Sequence, residues 1–344
     1  MKNFLIYINL FLVFLIGHSQ DAQFSQFYVS GLYLNPSLAG QEPNAYLSTN
    51  YRTQWRSIGF PFVSNQVSVV LPLKTKAELN SHKGGVGLSC FNDKSGDGSL
   101  KTLSVLLTGA YNLAMDKAGK NYLSFGLQGG FIQKSVDNSS FQWGSQYDPF
   151  LGYNSLVNAN ENNIISAKLY PDVNAGIIYY HNKSKDYSEN KKSGFLGFSV
   201  YHINMPNESL IKNQSSRLPM LMRAHGGIEF KLSPKFSLTP NFLAAYQNNL
   251  LQANAGLYLG YRLVENNEGF VGQGTFVMGG SHRLKDAGIA LVGFATKYWQ
   301  IGFSYDFNTS DFRYATKSKG AYEISLVLRN VREEKLERFS TPRF

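Results

Sequence analysis

The chain has 344 residues, a formal charge of +10, 14% aromatic residues and only 16% charged ones, whereas a soluble globular protein averages about 25% charged. Its basic balance comes without a clustered basic helix, zinc-finger spacing or an aromatic RNA-binding motif, which argues against nucleic acid as a partner. The single cysteine, Cys90, excludes an internal disulfide; sharing a register with Val86 and Leu88, it reads as a small buried residue.

Residues 1–19 read as an export signal. Lys2 supplies the positive start, Phe4 to Gly17 is almost wholly apolar, and Gly17 and Ser19 place small residues at positions −3 and −1. The apolar stretch is short for a span of about 20 residues. Cleavage after Ser19, leaving Gln20 at the mature end, is therefore expected in preference to an uncleaved anchor, and no cysteine follows that would mark a lipoprotein.

Residues 20–44 are irregular and aromatic, with Phe24, Phe27, Tyr28 and Tyr33 ahead of Asn35-Pro36. The composition fits a plug packed in a lumen, turned by Asn35-Pro36, and fits a periplasmic leader equally well.

From residue 45 the chain alternates apolar and polar residues almost to its end. Leu251, Ala253, Ala255, Leu257, Leu259, Tyr261 and Leu263 fall on one face, and Gln252, Asn254, Gly256, Tyr258, Gly260 and Arg262 on the other. A strand has period two, so one face is greasy and the other wet. Such segments are predicted near 45–54, 63–72, 84–92, 100–115, 122–135, 170–181, 193–202, 220–232, 236–247, 252–263, 269–283, 287–296, 298–307 and 320–331. They predict an all-β, transmembrane outer-membrane β-barrel of about 14 antiparallel strands over 45–331; twelve or sixteen strands lie within the uncertainty of the boundaries. The tail 332–344 is polar and is assigned to the periplasm.

Short connections with turn chemistry (Ser233 to Lys235, Lys117 to Lys120, Gln247 to Leu250, Lys285-Asp286) are expected on one side. Long polar ones (Asp137 to Lys168, Asn204 to Leu218, Asn308 to Lys319) are expected on the other. Glycines inside strands, such as Gly126, Gly129, Gly256 and Gly260, would ease curvature and leave room in the lumen. The lumen-facing set, including Gln66, Ser68, Gln128, Arg223, His225, Glu229, Asn254 and Arg262, is polar without opposed rows of charge.

No catalytic constellation emerges, so an enzyme is not predicted. His82, His181, His202, His225 and His282 are scattered, with no metal-ligand spacing, and there is no nucleophile elbow or phosphate loop. Asn92 to Gly98 resembles a calcium loop, but Lys94 interrupts it and no closing Glu follows, so a hairpin turn is the better reading. Neither a cofactor nor a metal is implied. Tyr147-Asp148-Pro149-Phe150 forms an aromatic turn in the longest loop, where it could meet a partner or pack the loop down. Together with lumen groups Arg223, His225 and Arg262, these are the candidate partner-binding residues.

The stretches Gln23-Phe24-Ser25-Gln26-Phe27 and Leu32-Tyr33-Leu34-Asn35-Pro36-Ser37-Leu38-Ala39-Gly40, followed by Tyr51-Arg52-Thr53-Gln54-Trp55, resemble the PorP/SprF family. Its members are outer-membrane proteins of the Bacteroidetes type IX secretion and gliding apparatus. Val67 to Leu73, Gly279 to Arg283, Ile301 to Asp306 and Gly320 to Leu326 extend the likeness over nearly the whole mature chain. One departure is Ser340-Thr341 before Pro342-Arg343-Phe344, where many members carry a cysteine. The resemblance implies an outer-membrane barrel that binds the type B C-terminal domain of a large exported adhesin, alongside other secretion components, lipid and lipopolysaccharide. The alternative is a passive porin or transporter for small or apolar solutes.

Overall fold

The computed structural model describes residues 21–74, 82–95, 100–116, 121–137, 141–157, 164, 166–181, 192–263 and 274–331. The export signal with its cleavage site, Gln20 and the tail 332–344 lie outside these residues.

Fourteen antiparallel strands form one closed barrel. They are β1 (Ala45–Gln54), β2 (Phe62–Lys74), β3 (His82–Ser95), β4 (Leu100–Ala114), β5 (Tyr122–Val136), β6 (Ala167–His181) and β7 (Lys192–Tyr201). The second half comprises β8 (Leu221–Lys231), β9 (Phe236–Gln247), β10 (Leu250–Arg262), β11 (Thr275–Arg283), β12 (Ala287–Ala295), β13 (Trp299–Asn308) and β14 (Lys319–Asn330). Each strand pairs with its sequence neighbours, and β1 closes the ring on β14 from Ala45 opposite Asn330 to Gln54 opposite Ala321. The predicted strand count and fold class hold. Residues 269–273 of the predicted eleventh strand lie outside the described residues.

The period-two pattern sorts the side chains. On β14, Ile324 and Leu328 are exposed outward while Glu323, Ser325 and Val327 are buried inward. Leu107 on β4, Leu127 on β5 and Leu251 on β10 likewise face out, as an apolar band against lipid requires. Cys90 stands half-buried on this outward face beside exposed Val86 and Leu88, which corrects the expectation that it is buried. In a membrane barrel the apolar register points away from the interior.

A meander changes ends at every turn, so β1 begins and β14 finishes at one end, and the opposite end carries connections 55–61, 96–99, 137–166, 202–220, 248–249, 284–286 and 309–318. The three long predicted loops do share this loop end. The short turns at Gln247 to Leu250 and Lys285-Asp286 share it too, so turn length does not sort cleanly by side. Asp93 of the supposed calcium loop is held by Ser64 and Ser95 at the top of β3.

Between Asp21 and Asn44 the chain forms two short 3-10 turns, Gly31–Tyr33 and Pro36–Gly40. Asn35 caps the second: its Oδ1 accepts from the Ser37 N–H (3.0 Å) and the Ser37 hydroxyl (2.7 Å), and Pro36 takes the first helical position. Phe24, Phe27, Leu32, Leu34 and Leu38 are buried, and they pack against inward residues of the wall. Phe27, Leu34 and Leu38 join Tyr122, Ile178, Tyr180 and Leu243, while Leu32 and Ala39 join Val70 and Ala110. The interior of the barrel is therefore a packed core built by this segment.

Candidate functional site

The segment crosses the lumen from the loop end to the opposite end. At the top, the Asp21 N–H donates to Gln247 Oε1 at the end of β9, and the Asp21 carboxylate meets His202 Nε2 at 2.8 Å. Lower down, the Tyr28 hydroxyl donates to the Gly226 carbonyl, and Asn35 Nδ2 reaches the carbonyls of Ile177 and Phe198 and lies 3.1 Å from His225 Nε2. Ser124 donates to the Ser37 carbonyl, Asn112 to the Gly40 carbonyl, and at the far end Arg329 pairs with Glu42 at 2.9 Å.

Glycines on the inner wall make the fit possible. A Cβ at Gly126 would strike the backbone of Pro36 and Ser37; one at Gly176 would strike the Asn35 side chain, and one at Gly85 the Ala39 carbonyl.

A further anchor is ionic. Arg52 pairs with Asp306 at 2.8 Å and lies 3.6 Å from Glu323; Arg283 lies 3.3 Å from Asp306. Ser25 sits in the middle: its hydroxyl donates to Asp306 (2.7 Å) and accepts from Arg52 and Arg283, and its N–H donates to Glu323 (2.7 Å). All four side chains are buried, where a charge is tolerated only when it is paired. The network spans β1, β11, β13 and β14, so the segment is tied across the strand pair that closes the barrel.

His202, just past β7, lies between Asp172 (2.7 Å from Nδ1) and Asp21. Burial alone would lower its pKa; the two carboxylates outweigh it and hold the imidazole up to about 10. Burial would raise Asp21, but His202, with help from Arg223 and Gln247, brings it down to about 2.

Above the segment is a cavity of ≈ 260 Å³ whose lining includes Tyr33, Phe91, Lys134, Tyr170 and Tyr201. The 202–220 connection covers part of it. Lys134 pairs with Glu208 at 2.7 Å, Leu218 packs on Ile132 and Tyr170, and Gln247 Nε2 donates to the Pro219 carbonyl.

The sequence-predicted residues separate into three places. Phe24, Phe27, Tyr28, Tyr33, Asn35 and Pro36 all belong to the lumen segment. Tyr147, Asp148, Pro149 and Phe150 form an exposed turn at the loop end, next to a two-residue ladder pairing Tyr147 with Tyr153. Asp148 Oδ1 accepts from the N–H groups of Phe150 (2.8 Å) and Leu151 (2.9 Å), and these bonds hold its carboxyl below the usual range. Arg223 is buried between the rings of Tyr33 and Tyr201 and donates to the Tyr33 carbonyl, while His225 is buried against Asn35. Arg262 stands half-buried at the opposite end of the barrel from Phe150. The seven partner-binding candidates therefore do not form one surface: their strand positions and burial spread them over lumen, tip and far rim.

Sequence reasoning missed Ser25, Arg52, His202, Arg283, Asp306 and Glu323 as a group. The available signal was a charge on an inward face otherwise made of small or uncharged residues, as with Glu323 among Ala321, Ser325 and Val327. Among the described residues no group of His, Cys, Asp and Glu is arranged to hold a metal ion.

No curated protein matches the chain. Solved barrels resemble it distantly: a FadL homologue from Pseudomonas aeruginosa (11% identity, 86% of this chain and 92% of that chain, TM-score 0.42), and BamA from Haemophilus ducreyi lacking POTRA domains 1-3 (10%, 84% and 71%, TM-score 0.40). A third is the KdgM porin in complex with disordered oligogalacturonate (6%, 83% and 99%, TM-score 0.34). Residues 16–328 match the family described as type IX secretion system membrane protein PorP/SprF, so this chain belongs to that family and is an integral barrel of the bacterial outer membrane.

Proposed function

We propose that this barrel is a non-enzymatic receptor that holds the type B C-terminal domain of a large exported adhesin at the cell surface, in concert with other type IX secretion components. The observation that carries the reading is the lumen itself. It is filled from Asp21 to Asn44 by a segment hydrogen-bonded to the wall at both ends and locked by a buried ion network. That leaves little room for solute traffic and leaves the loop end as the working surface. Long loops face outward in outer-membrane barrels, which assigns 137–166 and 202–220 to the cell exterior.

The 147–157 tip suits a protein partner. Phe150, Leu151 and Leu156 are 95%, 86% and 92% exposed, and Asp148 and Asn154 hold the backbone beneath them. Preorganised apolar anchors of this kind bind at low ordering cost.

Affinity isolation of the tagged protein from gently solubilised outer membranes tests the proposal. Recovery of one very large surface protein with a C-terminal sorting domain is expected. Isolation of the barrel alone, with robust ion conductance after reconstitution, would establish the porin reading instead.

A further inference from the structure

At the mouth of the cavity the inner wall is basic. On the inner faces of β3 to β6 one row runs Asp93, Thr102, Lys134 and Lys168, each directly opposite the next. Lys134 and Lys168 are therefore neighbours across the β5–β6 ladder, both half-buried, and like charges set opposite each other repel. Asp93 does not relieve them: Thr102 stands between, and the Asp93 carboxylate accepts from the Ser64 and Ser95 hydroxyls. Asp21 and Asp172, deeper in the same cavity, are both engaged with His202. The counter-charge comes instead from the 202–220 connection, whose Glu208 reaches Lys134 at 2.7 Å.

Glu208 sits on an arm braced by its own bonds. The Leu218 N–H donates to the Pro206 carbonyl, the Glu208 N–H to the Ser216 carbonyl, and Asn207 Oδ1 accepts from the N–H groups of Ser209 and Ser216. Arg217, exposed on the same arm, adds a further cation to the cavity lining. Solvent reaches the ion pair, whose side chains are 17% and 15% exposed, so Glu208 can be exchanged without opening the barrel. We propose that Lys134 and Lys168 form a carboxylate-binding site, that Glu208 fills it as an internal stand-in, and that an acidic peptide segment of the exported partner takes its place. Without Glu208 the two lysines face the cavity unbalanced, and a space of ≈ 260 Å³ admits a side chain or two but no folded domain. The site is also continuous with the exposed tip: Ile211 of the arm pairs with Ile164 of the 137–166 connection, which carries Phe150 and Leu151. That the acidic peptide belongs to an exported partner rests on the receptor reading; recognition of a carboxylate by the lysines does not.

Fluorescence anisotropy of a dye-labelled hexaglutamate peptide, titrated with the full-length protein in nanodiscs of zwitterionic lipid, tests this. Saturable binding is expected, with hexaglutamine inert. Glu208→Gln should bind about tenfold more tightly, because a tethered competitor at high effective concentration is gone; misfolding cannot produce such a gain. Lys134→Gln should abolish binding and Lys134→Arg retain it. Unchanged or weaker binding by Glu208→Gln would overturn the proposal, as would undiminished binding by Lys134→Gln. Displacement of the probe by oligogalacturonate at lower concentration than by unlabelled hexaglutamate would overturn the peptide occupant in favour of an acidic sugar. None of these readouts uses an adhesin, so they decide the site independently of the receptor reading.

Discussion

Four buried side chains, Arg52, Arg283, Asp306 and Glu323, converge on one serine. Removing a single member of such a set is worse than never having built it, because the remainder stay buried with unbalanced charge. Arg52→Leu is expected to destabilise the barrel by about 3–5 kcal/mol, read as a lower denaturation midpoint in detergent. Arg52→Leu combined with Asp306→Leu should cost less than the sum of the two single changes. His202 gives a pH dependence of definite sign. Its folded pKa is raised, so its contribution is complete below the unfolded value of about 6.5 and fades as pH rises towards about 10. Asp21 is depressed, so its share is present above its unfolded value of 3.8 and is lost as pH falls through about 2. A cysteine at Ala22 should therefore react with a thiol probe little faster at pH 5 than at pH 6, and progressively faster between pH 7 and 10 once the intrinsic rise in thiolate is subtracted. A flat corrected profile would mean that His202 does not hold the segment. These residues were individually visible in the sequence, and several sit in the family-like stretches. Their convergence was not, because Ser25 and Glu323 meet across nearly the entire chain.

At the level of elements, strands were legible because each has a single demand, apolar outward and small or polar inward, and the period-two pattern records it. The lumen segment was legible only in part, as an irregular aromatic stretch turned at Asn35-Pro36, since a chain surrounded by wall on every side has no polar face and no period to tell a plug from a leader. The same reasoning explains why Arg223 and His225 read as partner-binding groups: an inward polar residue looks alike in sequence whether it faces water or a packed segment. Gly126→Val places a side chain where the Pro36–Ser37 backbone lies. Overpacking of this kind costs about 1–3 kcal/mol, and the expected result is a displaced segment, seen as protease cleavage within 21–44 and as conductance in planar bilayers well above that of the unaltered protein. The tip belongs to a different regime. Replacing Phe150, Leu151 and Leu156 together with serine should leave barrel stability within about 0.5 kcal/mol while releasing adhesin from the cell surface. Retention of adhesin by that variant would remove the tip from the binding surface.

For the molecule as a whole, the segment and the closing strand pair are one mechanical unit. Ser25 and Gln26 are bonded to β13 and β14, residue 45 begins β1, and β1 pairs with β14. The segment and the joint that closes the ring therefore share one set of bonds. Once seated, the segment leaves only by sliding lengthwise past its anchors or by reopening that joint. Both routes break the buried ion set, so opening of the segment and opening of the ring draw on the same free energy. Hydrogen exchange should report this as a single event, with the amides of 31–40 and of the β1–β14 ladder released together. The barrel would then work as a fixed socket whose bore is sealed by its own chain and whose traffic with partners is confined to its rim.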